Sequence, residues 1–182
     1  MDAWVWVVIV VALIVLAALI WTSYRRARSR RLREGFGPEY DRALEERGDR
    51  GEAEAHLRER EERRDSLDIR PLAPASRERY AQEWSDVQAR FVDEPAGAVA
   101  EADGLVMIVM RERGYPVDDF ERQAELISVD HPTVVEDYRA GHAAFAAYDD
   151  GESSTEDLRR AMVHYRALFD ELLGSEHRSE VR

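Results

Sequence analysis

The sequence predicts an all-α protein. It should hold a single N-terminal transmembrane helix, a charged linker and a compact cytoplasmic bundle of about five helices. Three observations predict this. An uncharged apolar run, WVWVVIVVALIVLAALIW, fills residues 4–21. From Glu34 to Arg70 the chain is dense in charge and poor in large apolar residues. From Ser76 onward apolar residues recur at three- and four-residue spacing, and no run alternates as a strand would.

The first element is the apolar run. Eighteen residues at 1.5 Å each give roughly 27 Å of helix, close to the ~30 Å hydrocarbon core of a bilayer. Trp4, Trp6, Trp21 and Tyr24 lie at or near its ends, where amphipathic rings prefer the interface. A cleaved signal peptide would carry a positive start and a small-residue cleavage site. Here Asp2 is the one charged side chain before the run, and TSYRRARSRR follows it. Residues 1–24 are therefore read as an uncleaved anchor. Arg25, Arg26, Arg28, Arg30, Arg31 and Arg33 all follow it, so the positive-inside rule places the N-terminus outside and the rest in the cytoplasm. The expected localisation is the cell membrane. The same arginines are candidate contacts for anionic lipid headgroups.

Residues 25–75 form the Arg-rich flank and linker. A short helix is expected at residues 38–47 and a solvated or partly ordered one at 52–66, with Gly48 and Gly51 as punctuation. Oppositely charged pairs such as Glu54–Arg58 and Glu59–Arg63 support a helix but supply no core. RPLAPAS then breaks the chain before the bundle.

The bundle is expected at residues 76–174. Its first helix lines up Tyr80, Trp84, Val87 and Phe91. Pro95 suits the first position of the next, after Asp93 or Glu94 at the cap. Ala98, Val99, Ala102, Leu105, Val106, Val109 and Met110 follow at helical spacing. At RGYPVDD, Gly114 can take the left-handed conformation that ends a helix, and Pro116 forbids continuation. Asp118, with Glu121 three residues on, should cap a third helix whose inner face is Phe120, Ala124 and Ile127. At SVDHP, Asp130 or His131 should cap a fourth helix with Pro132 in its first turn. Its stripe is Val134, Val135, Tyr138, Phe145 and Tyr148. SSTED offers two capping registers for a fifth, Ser153 with Glu156 and Ser154 with Asp157. Leu158, Ala161, Met162, Tyr165, Leu168, Phe169, Leu172 and Leu173 follow, and Gly174 closes it. Residues 175–182 are expected to be a disordered tail.

Composition narrows the function. There is no Cys, hence no disulfide, thiolate chemistry or thiolate zinc site. Residues 1–33 carry one acid and six arginines, a net +5, while residues 34–182 carry −17. An acidic body argues against nucleic-acid binding and favours a basic partner. No G-x-S-x-G, P-loop, dinucleotide glycine pattern or H-E-x-x-H occurs. The Glu-x-x-His pair of di-iron bundles is also missing, because Ala53, Ser128, Arg139, Ala161 and Gly174 stand three residues before the five histidines. No catalytic residue, metal ligand or cofactor is assigned.

The stretch WSDVQARFVDEPAGAVAEADGLVMIVM, followed by STEDLRRAMVHYRALFDELL, resembles a family of uncharacterised actinobacterial helical proteins. The residues that carry the likeness include Trp84, Gln88, Phe91, Asp93, Pro95, Asp103, Thr155, Glu156, Asp157, Arg159, Tyr165, Arg166 and Phe169. The RGYPV and SVDHP segments resemble its membrane-anchored members. The resemblance covers residues 80–173 and implies a helical domain; it brings no reaction and no catalytic residue. Within it, Trp84, Gln88, Arg159, Tyr165 and Arg166 are candidates for a groove that takes a partner helix or peptide. The bland alternative puts Trp84 and Tyr165 in the core and pairs the arginines with neighbouring acids. The reading is a membrane-anchored binding or scaffolding module with an unidentified protein partner and an unassigned oligomeric state. The competing reading is an enzyme or metal-binding protein using His131, His142 and His164 with nearby carboxylates.

Overall fold

Eight helices and no strand occur among the described residues of this computed structural model. It describes the backbone of residues 3–149 and 154–174, and their side chains except those of residues 3, 5, 7–10 and 149. The expected tail at 175–182 and the Ser153 capping register lie outside the described residues. The chain divides into two units, Met1–Leu57 and Arg58–Arg182.

Among the described residues, no helix is long and apolar enough to cross a membrane. This corrects the single-pass transmembrane helix expected at residues 4–21. The cell-membrane placement, with the N-terminus outside and a cytoplasmic domain, is corrected with it. The first helix, α1, runs without a break over Ala3–Phe36 and is polar from Thr22 onward. A span needs about 20 predominantly apolar residues in one helix, and no described helix meets that requirement.

In the first unit, α2 (Pro38–Arg47) follows Gly37, which has φ 49°, and ends at Gly48 with φ 68°. Both positions need the left-handed freedom that glycine has. Leu32, Phe36, Tyr40 and Ala43 are buried, as are Ala53 and Leu57 on α3 (Arg50–Asp65). Glu54 accepts hydrogen bonds from Ser29, from the Tyr40 hydroxyl at 2.9 Å and from Arg50 at 2.9 Å. Burial opposes the Glu54 charge, but those three donors together hold its carboxyl below the usual range.

In the second unit, α4 (Pro74–Arg90), α5 (Pro95–Arg113), α6 (Phe120–Asp130), α7 (Val135–Asp149) and α8 (Thr155–Gly174) build the bundle. α7 packs most extensively on α8, then α5 on α8 and α4 on α5. Every apolar position of the predicted α5 stripe is buried, and so is the α8 stripe from Leu158 to Leu172. Trp84 stacks on Phe169 with ring centroids 4.5 Å apart, which joins α4 to α8. Gly141 sits where α7 comes closest to α8. A Cβ there would meet Ala161 O, His164 Cβ and Tyr165 Cδ2, each at 3.4 Å.

The two corners differ from expectation in instructive ways. Gly114 takes φ 100°, as the RGYP signal requires, and a Cβ there would lie 2.4 Å from the Asp68 carbonyl oxygen. Asp119, one residue later than expected, caps α6 by accepting from Arg122 N at 2.8 Å. Asp130 and His131 do not start α7. Asp130 is the last residue of α6, His131 is its C-cap, and Pro132 lies in a turn before α7 begins at Val135. Asp130 instead meets partners distant in sequence. Arg64 reaches Asp130 Oδ1 at 2.7 Å, and the Tyr115 hydroxyl donates to Asp130 at 2.5 Å. The Asp130 carboxylate is thereby occupied away from the backbone. At the start of α8 the Ser154 N–H and hydroxyl both donate to Asp157, at 2.8 and 2.7 Å, the carboxylate half of the expected Ser154–Asp157 capping box.

Candidate functional site in the groove between α4 and α5

α4 and α5 run antiparallel. Arg90 pairs with Glu101 at one end of their contact, at 2.5 Å. At the other end Arg79 pairs with Glu112 at 3.3 Å, and the Tyr80 hydroxyl donates to Glu112 at 2.5 Å. Hydrogen bonds from Ser76 and Tyr80 hold the Glu112 carboxyl below its usual range. Burial, with Glu112 second, pushes the Tyr80 hydroxyl up. These clasps fix the register of the two helices.

Between the clasps lies a groove of about 360 Å³. α4 lines it with Glu83, Asp86, Val87 and Arg90, and α5 with Glu101, Gly104, Leu105 and Ile108. Each set falls at i, i+3, i+4 and i+7, so each is one continuous stripe of a helix. Val87 and Leu105 are buried at the floor, while Ile108 is 46% exposed. A Cβ built on Gly104 would meet nothing within 4 Å, so the α5 wall is open there. The groove holds carboxylates, a guanidinium and apolar carbons, and no imidazole, hydroxyl or thiol.

The residues singled out by sequence do not share one surface. Trp84 and Tyr165 are buried in the core. Gln88 is half-buried. Arg159 and Arg166 are exposed on α8 and pair along their own helix, with Glu156 at 2.8 Å and Asp170 at 3.4 Å. The six arginines from Arg25 to Arg33 are all exposed on α1. Of these, Arg25 lies over the Trp21 ring at 4.7 Å, and Arg33 pairs with Asp41 at 3.6 Å.

The three histidines have separate surroundings. His131 is buried, with Nδ1 3.3 Å from Glu171 and Nε2 without a hydrogen-bond partner. Burial, and then the Arg113 charge, lowers its pKa against the opposing pull of Glu171 and Asp130. His142 stacks on Phe120 at 3.7 Å. His164 meets Asp137 at 2.7 Å, tying α8 to the first turn of α7. Among the described residues, no group of three or more His, Cys, Asp or Glu could hold a metal ion. Nearby, the Tyr138 hydroxyl donates to Gln123 at 2.7 Å, and the buried Tyr165 hydroxyl is pushed up by burial and then by Asp103.

Sequence reasoning missed Glu83, Asp86, Glu101, Gly104 and Ile108. One signal was present: Ile108 is an apolar residue off the buried stripe of α5, on the turn after a glycine that the core does not use. No protein-family model matches the chain, and no curated protein or solved structure matches it.

Proposed function

We propose that this chain is a helical binding or scaffolding module that holds a protein partner in the α4–α5 groove. One observation carries the reading: an open, apolar-floored groove between two helices whose register is clasped at both ends. Such a groove is already formed before any partner arrives, so binding costs little reorganisation. It has the shape that helix-in-groove recognition uses. The arginines of α8 are bonded along their own helix and Trp84 is committed to Phe169, so neither supplies a comparable surface.

The test is capture from the native cell with the tagged full-length chain, compared with Gly104→Trp. A Cβ at Gly104 meets nothing within 4 Å, so a large side chain can leave α5 there toward the groove, and helix content checks that the variant folds. A dominant partner lost in Gly104→Trp at unchanged helix content supports the reading. Equal capture by both chains contradicts it.

A further inference from the structure

We infer that the occupant of the α4–α5 groove is a cationic amphipathic helix, two to three turns long, with arginine or lysine flanking an aliphatic stripe. The inference rests on the binding-module reading and specifies its partner.

The charges of the groove carry it. Glu83, Asp86 and Glu101 line the groove against one cation, Arg90. Arg90 is already held by Glu101 at 2.5 Å. Among the described residues Glu83 meets Arg79 at a loose 3.7 Å, and Asp86 accepts from the neutral amide of Gln82 at 3.1 Å. The α4 rim thus presents two carboxylates for which a guanidinium or ammonium from outside is the complementary group. The rest of the body adds to this field, since residues 34–182 carry a net −17.

The floor sets the shape. Val87, Leu105 and Ile108 offer aliphatic carbon and no buried polar group. An extended strand would leave its backbone N–H and C=O groups facing those carbons. A helix satisfies them internally and presents only side chains. Gly104 removes a side chain from the wall, which lets a helix backbone approach α5 closely. The lined stripe from Glu83 to Arg90 spans about 10 Å, near two turns of helix. Leucine or isoleucine at i, i+4 and i+7 would fill the floor, with cations on both flanks opposite Glu83, Asp86 and Glu101.

The experiment titrates the full-length chain with three labelled helical peptides of equal length and aliphatic stripe. Their flanks are arginine, glutamine or glutamate, and binding is read by fluorescence anisotropy at low and high salt. The chains are wild type, Glu83→Arg/Asp86→Arg and Gly104→Trp, each checked for helix content. The arginine peptide should bind the wild type, weaken with salt, and weaken about tenfold or more in the charge-reversed chain, since two attractive contacts become repulsive. The glutamate peptide should prefer the reversed chain, and Gly104→Trp should lose both. If the arginine peptide binds all three chains equally, it is adsorbing to the acidic body and the inference fails. If all three peptides bind the wild type alike and all are lost in Gly104→Trp, the cationic partner is wrong while the binding module survives. If no peptide binds, the inference fails, and the module reading is then decided by the capture comparison alone.

Discussion

Two glycines, each in the middle of a bundle helix, divide the molecule between them. Gly141 stands in the α7–α8 seam, and atoms of Ala161, His164 and Tyr165 wait 3.4 Å from where its Cβ would be. Gly104 stands on the outer side of α5, where the same construction meets nothing within 4 Å. The first is a packing device that lets two helices close. The second leaves a gap that the fold does not fill, beside Ile108 and three carboxylates. Helix propensity penalises both equally, by roughly 1 kcal/mol each relative to alanine. The seam recovers that cost through contact. The groove recovers nothing within the chain, which is why the groove is the candidate for an outside partner.

Four substitutions test this contrast, in order of falling effect. Trp84→Ala removes the ring stacked on Phe169 and should cost about 3–5 kcal/mol, read as a lower midpoint in urea. Gly141→Leu forces a branched side chain into the closed seam and should cost about 1–3 kcal/mol in the same assay. At the end of α6, His131 should make stability depend on pH. Its folded pKa lies below the unfolded value, so the unfolded chain binds the proton first. Its contribution is full above about pH 6.5 and is lost as pH falls below that, toward the folded pKa. The lowered carboxylates Glu54, Glu112, Glu156 and Asp157 act in a separate, more acidic window, below about pH 4.5. Melting wild type and His131→Gln between pH 7 and 5 should show the steeper loss in the wild type. Gly104→Ala is the mildest change and of opposite sign, a gain of about 0.5–1 kcal/mol in the urea midpoint, because the open face costs the new methyl nothing.

The buried stripes were largely legible in the sequence, and the close approach at Gly141 and the groove were not. The stripes of α5 and α8 show the period of a helix, and burial follows the period because a bundle has one interior. Gly114 was legible as a left-handed helix end, since RGYP admits little else, yet the close approach of Asp68 was not. Contacts across long separations stayed hidden for the same reason. Arg60, in a stretch that reads as solvated linker, is buried and lies 3.6 Å from Glu125 and 3.4 Å from Ser128. Arg63 reaches Glu125 at 3.1 Å. Nothing in the spacing of REREERRD names a partner on α6. The transmembrane expectation rested on the apolar run, its aromatic ends and the arginines that follow it, and no described helix meets the length and apolarity of a span. The groove depends on which helix face the other helices leave uncovered, which is a property of the packing and not of any one stripe. Trp84 and Tyr165 drew attention because they are large and aromatic, and the core claimed both.

The central claim is that the α4–α5 face, and not exposed apolar surface in general, meets the partner. Val163 on α8 is the fitting control, being aliphatic and 56% exposed against 46% for Ile108. A photo-crosslinking residue placed at position 108 or at position 163 of the full-length chain, in the native cell, compares them directly. One dominant adduct is expected from position 108, none from 163, and loss of the first when Gly104 is replaced by Trp. Equal adducts from both positions, or an adduct at 108 that persists with the groove filled, would contradict it.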